Sequence, residues 1–237
     1  MFYFGPSMLL LIPPLLLALW AQAKVKSTYA KYSRMPVRSG LTGADVAKLI
    51  LREESIPLTS NPEAYAPQPA CALTAIPGRM SDHYDPRSRT LRLSQDVYYG
   101  TNVAALGIAA HEVGHAIQHA RAYAPLAVRN VIYPACNIGS TLAFPLFFFG
   151  LILRTPMLIQ AGILLFALAV AFTVITLPVE FNASRRALKA LAGSQYLDAD
   201  EMKGARAVLT AAAMTYVAAA TMAIAQRARM LLLSRRS

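Results

Sequence analysis

The segment His111-Glu112-Val113-Gly114-His115 holds three side chains that together can do hydrolytic chemistry. Two histidines four residues apart on a helix share one face, one turn above the other, so both imidazoles can hold a single zinc ion. The carboxylate between them can take a proton from a water that zinc activates. The flanks Ile108-Ala-Ala110 and Ala116-Ile117 are apolar, no proline occurs between 101 and 124, and the small Gly114 stands beside the second histidine. These features favour a buried metal helix over a surface helix with two stray histidines.

A catalytic zinc takes three protein ligands and keeps a position for water, so one more donor is needed. His119 is eight residues beyond His111, roughly 12 Å away on a straight helix, too far for the two to share one ion. It is also two positions short of the longer motif in which a turn returns a third histidine. We read it as a packing residue or as support for a ligand. Glu180, in Val179-Glu-Phe-Asn-Ala-Ser-Arg-Arg186, is the better candidate, and the reason lies in the elements that must carry it.

The 237 residues are 56% hydrophobic with a mean hydropathy of +0.41, too apolar for an ordinary soluble domain. The composition predicts an integral membrane protein, mainly α. Residues 131–177 read as a transmembrane hairpin: one span over 131–153, the turn Arg154-Thr-Pro156, and a second span over 157–177. Antiparallel spans return the chain to the side it left, which brings Glu180 back toward the level of His115. Residues 1–23 read as an uncleaved anchor, since the lysines and arginines follow the apolar run instead of preceding it. Residues 24–130 form a polar domain, 178–206 a segment whose helix, after a kink that Pro178 permits, carries the third ligand and stops at Gly193, and 207–237 an Ala-rich fourth span with a basic tail.

Within the polar domain, Thr42 and Asp45 have the spacing of a capping box, opening a helix that ends near Ser55. The proline-rich stretch 56–78 reads as loop and Asp82-His-Tyr-Asp-Pro86 as a turn. Thr90-Leu-Arg-Leu-Ser94 alternates like a half-exposed strand whose open edge is a candidate for pairing with an extended peptide. Ser94 is placed to cap a short helix, and Thr101 to start the metal helix, which runs to about 122. Asp198 and Glu201 form a second capping box, and the helix after it is expected to run to about residue 225. Along it, Ala211, Thr215, Ala219 and Ala223 make a small-residue stripe suited to close helix approach.

The net charge of +11 marks cytoplasmic loops in a membrane protein more readily than a nucleic-acid partner, and no nucleic-acid module occurs. Eighteen of the 23 basic residues fall in 24–130 and 178–206, which favours a cytoplasmic active site. Four full spans then leave Arg227, Arg229, Arg235 and Arg236 outside, against the positive-inside tendency; a last helix lying in the interface would remove the conflict. Cys71 and Cys136 lack a metal or disulfide spacing.

The order of an anchor, Asp82-His-Tyr-Asp-Pro, a strand, His-Glu-Val-Gly-His-Ala-Ile-Gln118, a hydrophobic hairpin and Glu180-Phe-Asn-Ala-Ser-Arg-Arg-Ala resembles the bacterial membrane zinc metallopeptidases of the YugP type. More distantly it is similar to the membrane gluzincins that include the HtpX and CAAX prenyl proteases. The resemblance covers nearly the whole chain. It implies a zincin-like α+β catalytic domain with a small sheet, joined to about four transmembrane helices, in the bacterial cytoplasmic membrane. It also implies one zinc ion per chain held by His111, His115 and Glu180, with Glu112 as general base and a peptide or membrane-protein substrate. In the distant relatives an acid four residues after the ligating Glu supports a histidine, whereas here that position is Ser184. His83, Tyr84 and Arg185 are candidates for substrate or oxyanion contacts. The competing class is a non-catalytic membrane scaffold or chaperone-like binder with a structural zinc site. A transporter is disfavoured because the spans hold no charged residue, and an intramembrane protease because Gln118, His119 and Arg121 follow the motif.

Overall fold

The computed structural model describes residues 6–61, 70–193 and 196–234. The chain divides into two compact units, a polar one of Lys24–Leu126 with Val179–Ala213 and an apolar one of Met1–Ala23, Ala127–Pro178 and Met214–Ser237. Seven α-helices and three strands are found among the described residues.

The polar unit is built on helix α4, Val103–Ala120. Its N-cap is Asn102, whose side-chain oxygen accepts the Ala105 N–H at 3.0 Å, one residue later than the expected start at Thr101. Most of α4 is buried, as its apolar flanks require. Helix α2, Gly43–Glu53, packs on it through Val46, Ala47, Ile50 and Leu51 and begins with the expected capping box: Thr42 and Asp45 each satisfy the other's backbone N–H. The short α3, Gln95–Tyr98, follows Ser94, whose hydroxyl does not cap it but donates to Asp82 at 2.9 Å.

The sheet departs from the expected layout in three ways. Ala72–Ile76, expected to be loop, is strand β1, and His83–Asp85, expected to be a turn, is strand β2. Thr90–Ser94 is a strand as expected, β3, but it lies in the centre: β1 pairs with it in parallel and β2 antiparallel. It therefore has no open edge for a peptide. Local sequence could not give this, because β1 lacks clean alternation and exists through pairing with a strand about 18 residues away. Leu91 and Leu93 of β3 point into the core with Val97, Leu106, Val113 and Ile117. Pro62, Pro67 and Pro69 of the expected loop lie outside the described residues.

Four helices are long and apolar enough to cross a membrane: Ser7–Tyr32, Ala124–Ile152, Pro156–Gly193 and Ala199–Ser234. The first contains α1, Ile12–Tyr32, with Pro13 and Pro14 in its first turn, where a missing N–H costs nothing. The second is α5, the third α6 and the fourth α7. The chain is thus a mainly α membrane protein with a small mixed sheet. Helix α6 runs unbroken through Pro178, so the two elements expected on either side of that residue are one helix. Helix α7 opens with the expected Asp198–Glu201 box, Glu201 N–H to Asp198 at 2.8 Å and Asp198 N–H to Glu201 at 2.8 Å. It continues to Ser234 because no Gly or Pro follows Gly204. The expected small-residue stripe drifts: Ala211 is buried but Ala219 is exposed, and Ala218 and Ala220 are buried instead. Arg235 and Arg236 lie outside the described residues.

The apolar unit has its own core of Ala143, Phe147, Ile159, Phe166, Val170 and Met230. Glycines let α5 and α6 approach closely: a Cβ on Gly150 would stand 2.7 Å from the Ile159 nitrogen, and one on Gly162 would stand 2.7 Å from that of Phe147.

Candidate metal centre

Helix α4 presents His111 and His115 one turn apart, with ring centroids 4.9 Å apart and planes at 86°. Helix α6 presents Glu180. One oxygen of its carboxylate, Oε2, lies 3.3 Å from His111 Nε2 and 3.6 Å from His115 Nε2. The three side chains offer donor atoms that all lie within 4.8 Å of one another, the one such His/Cys/Asp/Glu group among the described residues.

The convergence depends on Gly114. A Cβ there would come within 2.5 Å of the Ala183 carbonyl oxygen, so only glycine lets α6 lie this close to α4. Glycine inside a helix costs about 1 kcal/mol relative to alanine, and here the close approach that brings Glu180 to the histidines offsets it.

Each imidazole is oriented by its other nitrogen. His111 Nδ1 is 3.1 Å from Ser184 Oγ, so Ser184 stands behind that imidazole. His115 Nδ1 is 3.0 Å from Gln118 Oε1. The Gln118 amide can point only one way, because its Nε2 donates to the Val179 carbonyl at 2.8 Å and to Asn182 Oδ1 at 3.0 Å. Its oxygen must then face His115, Nδ1 must carry the hydrogen, and Nε2 keeps its lone pair on the Glu180 side. Asn182 is in turn held by Arg186 Nε at 2.8 Å. Burial works against charge on His115, but the Glu180 hydrogen bond, the charges of Glu112 and Glu180 and the Gln118 bond outweigh it and raise its pKa above the usual histidine value.

Two imidazole nitrogens and one carboxylate oxygen, buried and held by hydrogen bonds behind them, are a donor set that suits zinc and leaves its fourth position to water. Glu112 is buried beside them, and its Oε2 accepts the Tyr84 backbone N–H at 2.9 Å. Tyr84 faces Leu91 across the β2–β3 pair, so an N–H that reaches Glu112 points off the free edge of β2.

The other expected site residues are placed differently. His83 is exposed on β2 instead of in a loop, and its Nδ1–H donates to the Ser81 carbonyl at 2.8 Å. The Tyr84 hydroxyl is engaged with His119 Nδ1 at 2.8 Å, and burial pushes its pKa above the usual phenol range. His119 thus braces the β2 side chain next to Glu112. Burial, followed by the positive charge of Arg89, holds His119 below the usual histidine pKa. Arg185 is exposed and about 140° round the helix from Glu180. Gln118 and Asn182 were not singled out as site residues from sequence. Their signal was the spacing: Gln118 is three residues after His115 and Asn182 two after Glu180, each an amide close in sequence to a candidate ligand.

A family model described as "Putative neutral zinc metallopeptidase" matches residues 7–235. A relative from Bacillus subtilis (strain 168), named "Putative membrane protease YugP", is 42% identical over 224 residues, covering 94% of each chain. No solved structure matches.

Proposed function

We propose, because this chain belongs to the neutral zinc metallopeptidase family, that it is a membrane-bound zinc endopeptidase with Glu112 as its general base. The observation that carries the reading is the meeting of His111, His115 and Glu180 within 4.8 Å beside the buried Glu112. His111, His115 and Glu180 would hold one zinc ion, which when bound supplies Lewis acidity that makes water nucleophilic near neutral pH and polarises a carbonyl. Gln118 keeps His115 in the ligating tautomer, and Ser184 bonds the Nδ1 of His111. Glu112 takes the proton from the attacking water and delivers it to the leaving amine. With β3 enclosed, the outer edge of β2 is the open edge of the sheet: its Tyr84 N–H holds Glu112 in place, and the Tyr84 carbonyl is the group there that meets an extended peptide substrate. The distribution of basic residues supports placing this chemistry on the cytoplasmic side of the bacterial inner membrane.

The test is zinc content of the detergent-purified protein, with casein hydrolysis measured in parallel. Wild type should carry close to one zinc per chain and cleave. Glu112→Ala should keep zinc and lose cleavage by at least about a hundredfold, and Glu180→Ala should lose zinc. An active Glu112→Ala variant would overturn the role of the base, and full zinc in Glu180→Ala would overturn the ligand set. Zinc held by four protein donors would identify a structural site instead.

A further inference from the structure

The apolar unit carries an unusual charge pattern. Its residues include six arginines and no Asp, Glu or Lys, whereas all 12 acidic residues of the chain belong to the polar unit. Side-chain carboxylates within the apolar unit therefore cannot neutralise these arginines.

One of them, Arg154, stands at the tip of the α5–α6 hairpin in a left-handed conformation (φ 50°), in a turn closed by the Thr155 N–H on the Gly150 carbonyl at 2.9 Å. It is exposed and has no hydrogen-bond or ion-pair partner among the described residues. Beside it opens a cavity of about 170 Å³ lined by Arg154, Pro156, Ile159, Gln160, Ile163 and Ser234. The lining divides into a guanidinium, an amide and a hydroxyl on one side of the chemistry and three apolar side chains on the other. The cavity lies where the hairpin turns and α7 ends, at one end of three helices long and apolar enough to cross a membrane, and the ends of such spans meet the polar headgroup region.

Arginine's planar fork of donors matches phosphate oxygens, and arginine at a membrane interface is stabilised by an anionic lipid headgroup. A free anion would use the polar groups and leave Ile159 and Ile163 idle; a phospholipid uses both. We propose that this cavity binds an anionic phospholipid, its phosphate on Arg154 with the Gln160 amide as a further donor, and its acyl region on Ile159 and Ile163. The site is independent of the peptidase reading.

Native mass spectrometry of the full chain in a neutral detergent tests this, titrating phosphatidylglycerol, phosphatidylcholine and inorganic phosphate. Wild type should retain phosphatidylglycerol about tenfold more strongly than phosphatidylcholine, and Arg154→Gln should remove that preference. Arg227→Gln, exposed and outside the cavity, should keep it. The thermal midpoint of Arg154→Gln in detergent alone should equal that of wild type, separating lost binding from lost folding. Equal retention of the two lipids, or equal loss in Arg154→Gln and Arg227→Gln, would overturn the site. Competition by inorganic phosphate as effective as that by the lipid would make it a simple anion site and overturn the lipid assignment.

Discussion

The two units use hydrogen bonds in different ways. In the polar unit, side chains bond across the structure: Asp82 with Ser94, Gln118 with His115 and Asn182, and Glu201 with the Arg38 N–H at 2.7 Å, 163 residues away. In the apolar unit, the hydroxyls of Ser140, Thr141, Thr173, Thr176, Thr221 and Ser234 bond to carbonyls three or four residues back on their own helices. Such bonds satisfy the donor but say nothing about a neighbour. Helix position there is set by shape, through Gly150 and Gly162. Long-range directional bonds run through the unit that holds the candidate metal centre, and close apolar packing suffices where a helix need only span.

The sharpest test of this contrast uses glycine in both units. Gly114→Val should prevent α6 from lying on α4, costing about 3 kcal/mol or more and yielding protein without zinc. Gly162→Ala, which also meets backbone, should lower the thermal midpoint in detergent but leave zinc per folded chain unchanged. Loss of zinc in both variants would mean that packing in the apolar unit controls the metal centre.

A smaller effect separates the two supports behind the histidines. Gln118 is 0% exposed, so Gln118→Leu strands a buried His115 N–H and should cost about 1–3 kcal/mol, with zinc affinity falling roughly 10–100-fold. Ser184 is only partly buried, where water can replace it, and Ser184→Ala should weaken zinc by about tenfold or less in a competitive chelator titration. The reverse order would show that Ser184 is the more important support.

The smallest effect is a pH dependence. The folded-state pKa of His119 is lowered, so its contribution to stability is complete above the ordinary value of 6.5 and is lost as pH falls from there toward the folded value, because the unfolded chain takes up the proton first. The thermal midpoint of wild type should therefore fall more between pH 8 and pH 5 than that of His119→Gln. Parallel curves would remove His119 from the account.

Much of the polar unit was legible locally. Capping boxes at Thr42–Asp45 and Asp198–Glu201 are fixed by side chains three residues apart, and the metal helix by an apolar run with two histidines at one-turn spacing. Glu180 could be placed near the motif because a hydrophobic hairpin must return to its starting side. These are short-range or topological rules, and sequence alone states them.

Other features depended on partners far along the chain. β1 and β2 became strands through pairing with β3, which moved the open edge from β3 to β2 and placed the Tyr84 N–H on Glu112. Gln118 acquired its role because Val179 and Asn182, 61 and 64 residues later, turn its amide oxygen toward His115. The sequence by itself determined which residues could bind a metal and which stretches could cross a membrane, since both follow from side-chain chemistry and local period. Only the tertiary structure decided which strand is exposed and which neutral side chains orient the candidate ligands, because a hydrogen bond between distant residues has no signature in either residue's own neighbourhood.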